Sequence, residues 1–326
     1  MTRRQLLLAF GATAITWPIA AFAQQPPKVA RLAYLGPTSA AGSRTRVEAL
    51  RSGLRNLGYI EGRNLEIAFR WADDKYESLL RLAAELVSLN PNVIVTHGTP
   101  GVRAARAATT SIPIVMATAG DATLVGLVTN LARPEGNITG STFFNPELAS
   151  KRLEVLKDTF PDMRRIAVLQ NRDNPAMKPV LEAMDQTAKT LKLQLQIVPV
   201  AAPEELEKAY TAMLAQRAEA LVIIEDAMLN GNLRRIADLA TKHRVPAIGL
   251  PEFAEAGALM AYGVDLVDMF YRSAYFVDKI LKGAKVSDLP VERASKFELV
   301  INKKAAAAIG IRIPDSVLVR AERVIE

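Results

Sequence analysis

Val93-Ile94-Val95-Thr96 is a run of four β-branched residues, and His97-Gly98-Thr99-Pro100-Gly101 follows it directly. A run that short and apolar, bounded by turn residues, reads as a strand buried on both faces. Pro100 suits the first turn of a helix and Thr99 can cap one, so the whole stretch reads strand, tight turn, helix. Strands buried on both faces belong to parallel sheets covered by helices, and the flanking sequence repeats the same alternation.

Upstream, Val29 to Leu35 is another buried-strand pattern, closed by Gly36-Pro37. Val47, Leu50, Leu54 and Leu57 then mark a helical stripe stopped by Gly58. Leu65 to Phe69 alternates as a strand, and Leu79, Leu82, Ala83 and Leu86 place an amphipathic helix over 76–89 that Pro91 ends. Downstream, Ile114 to Ala117 and Ile138 to Thr142 are two more strands. The second half repeats the scheme. Asn145-Pro146 opens a helix running to Phe160, strands follow at 166–169, 193–200, 220–224, 247–249 and 259–262, and helical stripes alternate with most of them.

The expected fold is therefore α/β, with two doubly wound parallel-sheet lobes over residues 28–143 and 146–265 and a ligand cleft between the carboxyl ends of their strands. A long helix at 266–281, within 266–296, is expected to rejoin the first lobe. A strand at 297–301, within 297–326, is expected to rejoin the second.

Composition narrows the function. The 326 residues are 50% hydrophobic and 23% charged, which excludes disorder and coiled coil. Lys and Arg exceed Asp and Glu by 41 to 34, but the basic residues are scattered and aromatics reach only 6%, so a nucleic-acid surface is set aside. With no cysteine and only His97 and His243 as imidazoles, thiolate chemistry is excluded and a histidine zinc site is poorly supported. The chain opens with Arg3-Arg4 ahead of an apolar run from Leu6 to Ala21, then Ala21-Phe22-Ala23. This reads as an export signal of twin-arginine type over 1–23, cleaved after Ala23, and places the mature protein in a periplasm.

Candidate site residues sit where strands end. Gly98, Thr99 and Gly101 could hold a carboxylate at a helix N-terminus, or simply form a tight turn. Asp121 follows one strand, and Asn171 with Asn174 follows another; such clusters serve either a polar ligand or a turn. Glu225-Asp226 directly after five apolar residues puts an acid at the sheet's mouth, to meet a cation or to cap a helix. Tyr262 and Asp265 offer a ring and a further carboxylate, with a helix cap as the alternative for Asp265. Dinucleotide and P-loop glycine patterns are missing, so no cofactor is expected. The nucleophile contexts G-x-S-x-G and S-x-x-K and the zinc pattern H-E-x-x-H are missing too, so no enzyme is expected. Asp226 with Asp265 remains the one conceivable acid and base pair.

Several stretches together resemble a known family. They include Gly62-Arg63-Asn64-Leu65, Leu131-Ala132-Arg133-Pro134-Glu135-Gly136-Asn137-Ile138-Thr139-Gly140, Lys151-Arg152-Leu153-Glu154, Val277 to Gly283, and Lys296-Phe297-Glu298-Leu299-Val300-Ile301-Asn302. In combination they are similar to the substrate-binding proteins of ABC transporters of the tryptophan/tyrosine type. The resemblance implies a type I periplasmic-binding-protein fold, two lobes joined by three crossings and closing on a small organic ligand such as an amino acid. It also implies delivery of that ligand to a membrane permease, with the protein expected to be a monomer. One departure is Asp121-Ala122, where family members often carry Asp-Pro. The contacts carried over are Ser39, Gly98, Thr99, Asp121, Asn171, Asn174, Asp226, Tyr262 and Asp265. In this assignment Thr99 holds a ligand carboxylate, Asp226 or Asp265 its ammonium, and Tyr262 its side chain. A periplasmic enzyme or a ligand-sensing subunit on the same fold is the alternative.

Replacing Arg3 and Arg4 together by Lys is expected to abolish accumulation in the periplasmic fraction, because the twin-arginine route reads guanidinium groups and not charge alone. Normal accumulation of the double variant would assign the general secretory route instead.

Overall fold

The computed structural model describes residues 29–326, and the expected export signal at 1–23 lies outside the described residues. Apolar runs of four to seven residues become strands in chain order: β1 (Ala30–Gly36), β2 (Leu65–Trp71), β3 (Val93–His97), β4 (Ile114–Gly120) and β5 (Ile138–Phe143). There follow β6 (Arg165–Asn171), β7 (Gln194–Val200), β8 (Ala220–Ile223), β9 (Ala247–Gly249), β10 (Met260–Gly263), β11 (Glu292–Arg293), β12 (Glu298–Asn302) and β13 (Arg323–Ile325). They form two sheets, ordered β11-β5-β4-β3-β1-β2 and β13-β12-β10-β9-β8-β6-β7. Within each sheet neighbours run parallel, except that β10 and β12 are antiparallel. Parallel registry brings the carboxyl ends of β1, β3 and β4 to one edge of the first sheet, and those of β6, β8, β9 and β10 to one edge of the second.

Both faces of each sheet are covered, which is why the strands read as continuous apolar runs. On the first sheet, α1 (Arg44–Asn56) and α10 (Leu266–Leu281) bury Leu50, Leu54, Phe270 and Val277 on one face. Helices α2 (Leu79–Ser88) and α3 (Gly98–Ala108) bury Leu82, Leu86 and Val102 on the other. On the second sheet, α4 (Asn145–Thr159) and α5 (Met177–Leu191) bury Leu153, Leu156, Val180 and Met184 on one face. Helices α6 (Leu206–Ala215) and α8 (Leu233–Lys242) bury Leu206, Met213, Ile236 and Leu239 on the other. Between α6 and α8 comes α7 (Ala227–Gly231), and α9 (Pro251–Glu255), α11 (Lys303–Ile309) and α12 (Asp315–Leu318) complete the set.

The chain passes between the sheets three times, at 143–145, 263–266 and 293–298. The long helix at 266–281 returns to the first sheet, where it packs along α1. Residues 298–302 pair with β10 in the second sheet, one residue later than the periodicity suggests.

One buried ion pair holds the passage region together. Arg152 on α4 is completely buried and pairs with Glu225, just past the end of β8. Its guanidinium also donates to the Tyr262 carbonyl on β10 at 2.8 Å and to the Ile223 carbonyl on β8 at 2.9 Å. Removing one partner of such a pair leaves an uncompensated buried charge. Arg152→Met is therefore expected to lower stability in urea unfolding by about 3–5 kcal/mol, whereas Arg152→Met with Glu225→Leu recovers most of that loss. Equal destabilisation by the single and double variants would show that the carbonyl contacts, not the ion pair, carry the effect.

Candidate functional site

The two strand-end edges face each other, and the lobes are closed. Tyr76, ahead of α2, donates its hydroxyl to Asp226 Oδ2 at 2.8 Å and accepts from the Met228 N–H at 3.0 Å. Arg46 on α1 donates to the Asn230 carbonyl on α7 at 2.6 Å, and Asn232 Nδ2 donates to Asp74 at 3.3 Å. At the rim, backbone meets backbone: a Cβ on Gly42 would stand 2.8 Å from the Gly231 carbonyl oxygen.

Between the lobes lies a cavity of about 30 Å³, walled by Arg46, His97, Gly98, Thr99, Thr118 and Gly120 on one side and by Asn174, Glu225, Asp226, Ala227 and Asn230 on the other. Asn145 and Phe143 line it where the chain crosses. That space suits about two waters, so a ligand of amino-acid size enters only when the lobes or wall side chains move apart.

The wall has an unusual polarity. His97 Nε2, Thr118 Oγ1, Asn145 Oδ1 and Asn230 Oδ1 are buried without a hydrogen-bond partner. Buried polar atoms in folded proteins are nearly all satisfied, so four such atoms around one cavity leave hydrogen-bonding capacity for whatever occupies it, water or a ligand. Burial, with Arg46 adding to it, pushes the His97 imidazole down to about 3, so it is neutral at physiological pH. Both acids on the wall are occupied. Glu225 is taken up by Arg152. Asp226 accepts from Asn171 Nδ2 and from the N–H groups of Met228 and Leu229 on Oδ1, and from Tyr76 and Asn174 on Oδ2. Desolvation raises the Asp226 pKa and these donors oppose the rise.

The expected contacts distribute unevenly. Gly98, Thr99, Asn174 and Asp226 reach the cavity wall. Gly98 adopts a left-handed φ of 68° at the start of α3, while Gly101 is glycine for packing, since a Cβ there would stand 2.5 Å from Thr96 Oγ1. Asn171 lies behind the wall and orients Asp226. Ser39 accepts from the Gly42 N–H within its own turn, and Asp121 accepts from Thr123 and Leu124 in a turn beside the wall residue Gly120. Tyr262 stacks on Phe297, ring centroids 6.4 Å apart, away from the cavity. Asp265 caps α10 through the Asp268 N–H and is exposed in a separate pocket at the crossings, so it does not meet Asp226. Arg46, Tyr76, Thr118, Asn145 and Asn230 were not among the expected contacts. Arg46 falls in the polar-looking run Arg44-Thr45-Arg46, and Asn145 reads as a helix cap; only the apposition of two lobes gives them a role.

A family model described as ABC transporter substrate binding protein matches residues 33–325. The chain belongs to that family. Among its relatives is a tyrosine-binding protein of Clostridioides difficile, 25% identical over 260 residues that make up 79% of this chain and 74% of the relative. Two solved structures share the fold closely. A conserved domain protein from Vibrio cholerae is 28% identical with a TM-score of 0.83, and an ABC domain from Streptococcus pneumonia in complex with L-Trp is 25% identical with a TM-score of 0.82. Each alignment covers 91% of this chain and all of the other. The family accounts for two α/β lobes facing each other across a closing cleft and for a wall furnished with hydrogen-bonding groups.

A third buried acid, Glu252 on α9, is not part of the cavity wall. Neither oxygen of Glu252 reaches a donor on another residue, and burial raises its pKa from 4.5 to about 7. Between those two values the folded protein holds a proton that the unfolded chain has lost, so stability declines as pH rises through the window, by on the order of 3 kcal/mol. His97 acts oppositely and only below about pH 6.5, where the unfolded chain takes up a proton that the buried ring refuses. Glu252→Gln is expected to lose less stability than the parent between pH 5 and pH 8, followed by denaturant midpoints. Parallel pH curves would show Glu252 to be solvated.

Proposed function

We propose that the chain is the periplasmic receptor of an ABC importer, capturing a small organic molecule of amino-acid type by closing its lobes and presenting it to a membrane permease. The observation that carries this reading is the set of buried, unpartnered polar atoms contributed from both sides of one interlobe cavity. Relatives that bind tyrosine and tryptophan support the amino-acid class. Export through the segment at 1–23, with cleavage after Ala23, fits a receptor working outside the cytoplasmic membrane, and among the described residues no helix is long and apolar enough to cross a bilayer.

Binding without turnover is part of the same reading. General acid and base work needs a carboxyl group free to exchange a proton with substrate. Glu225 is locked to Arg152, and Asp226 is held by five donors. His97 has its pKa far below the pH at which it could shuttle protons. The receptor acts as a monomer, each chain supplying both walls of its own cleft.

A ligand that binds only the folded protein stabilises it by RT ln(1 + [L]/Kd), about 2.7 kcal/mol at a hundredfold excess over Kd. Thermal unfolding of the mature protein against amino acids, aromatic acids and small amides should identify at least one compound with a concentration-dependent rise in Tm. Mass spectrometry should recover that compound unchanged after prolonged incubation. A chemically altered product formed at catalytic rates would replace the receptor by an enzyme.

A further inference from the structure

The sequence of α1 begins Arg44-Thr45-Arg46, yet Arg46 is only 5% exposed. It projects from the first lobe across the cleft, and one N–H of its guanidinium is engaged, by the Asn230 carbonyl of the second lobe. A guanidinium carries five N–H donors and stays charged in any protein environment. Buried arginines are almost always paired with an anion, because the desolvation of an unpaired one is not repaid. Arg152, the other fully buried arginine of this region, obeys the rule through Glu225. Arg46 does not: among the described residues it forms no ion pair, and the two acids on the cavity wall are already committed. Glu252 lies within reach of its field, without contact.

We propose that Arg46 is the anchor for a carboxylate on the ligand, and that this contact completes closure because the same guanidinium bonds α7 of the opposite lobe. The inference rests on the receptor reading and adds the ligand's chemical class. The N-terminus of the 11-residue helix α3, with Gly98 and Thr99 on the same wall, adds N–H groups and the positive end of a helix dipole to the anion's surroundings. Opposite in character, the side-chain amides of Asn145 and Asn230 are neutral and their oxygens have no partner. They offer hydrogen bonds to a polar group elsewhere on the same ligand. A small carboxylic acid bearing an amino or hydroxyl group satisfies both requirements. With no uncommitted carboxylate on the cavity wall, the amino group needs only hydrogen-bond acceptors, so a hydroxy acid fits as well as an amino acid.

The test is a thermal-shift and calorimetric panel on the mature protein, in which amino acids, 2-hydroxy acids and aromatic acids are each matched with the corresponding primary amide and the corresponding decarboxylated compound. The carboxylic acids are expected to bind and their matched partners to bind at least 30-fold more weakly. Arg46→Gln should lose the same factor for the acid and show little further preference between acid and amide. Arg46→Lys should fall between, since it keeps the charge and loses the planar fork. The ligand-free Arg46→Gln protein should unfold at a temperature no lower than the parent's, because an unpaired buried charge has been removed; a structural arginine would give a clear drop. The assignment is overturned if an acid and its amide bind alike, if Arg46→Gln binds the acid as tightly as the parent, or if no acid in the panel binds. Binding of uncharged or cationic solutes, recovered unchanged and indifferent to Arg46, would leave the receptor standing and remove the anchor. Turnover of a solute would remove the receptor itself.

Discussion

Everything at the mouth of the second sheet depends on a guanidinium buried beneath it. Arg152 joins α4, β8 and β10 by bonding Glu225 and the carbonyls of Ile223 and Tyr262. Pulling Glu225 inward fixes the backbone at the end of β8, so the next residue, Asp226, faces the opposite lobe. Asp226 in turn caps α7 and receives Tyr76 from across the cleft. An acid pair in sequence is thus split by structure into an internal brace and a cleft-facing hub, and the cation anticipated at this sheet mouth is the protein's own.

The division of labour among charges follows from desolvation. Interior charges are tolerated where their partners are supplied by the fold, as for Arg152 with Glu225 and for Asp226 with its five donors. Where the fold supplies none, the group either gives up its charge or waits for an outside partner. His97 and Glu252 take the first course, one as a neutral imidazole and the other as a carboxyl held neutral well above the usual range. Arg46 cannot, because guanidinium does not deprotonate in proteins.

The sheets and most helices were legible because burial on both faces writes long apolar runs, and because α1, α2 and α10 carry clear stripes such as Leu79, Leu82, Ala83 and Leu86. The five-residue helices α7 and α9 and the two-residue strand β11 were not, since periodicity needs more residues than they contain. At the site, Gly98, Thr99, Asn174 and Asp226 could be read from their places after strands. Asp265 and Tyr262 occupy equivalent places on β10, but this strand ends beside the crossings and not over the cavity. Arg46 and Tyr76 escaped notice because the first sits in a run that looks like a solvated helix start and the second ahead of an amphipathic helix. Their environment comes from the other lobe, 150 and 184 positions away in sequence for Tyr76 and Arg46 respectively. Interlobe contacts have no local pattern.

Gly42 and Gly231 meet main chain to main chain, with the buried side chain of Thr38 packed against both, and this gives the rim a hard limit of travel. Long flexible side chains at such a seam would let the lobes settle by degrees, whereas main chain packed on main chain and on one short buried threonine stops them at one separation. Discrimination by ligand size then becomes mechanical: a molecule that fits lets the seam seat, and a larger one holds it ajar. Release then requires the seam to part, so the time a compound stays bound follows how firmly its contacts with both walls hold the lobes together.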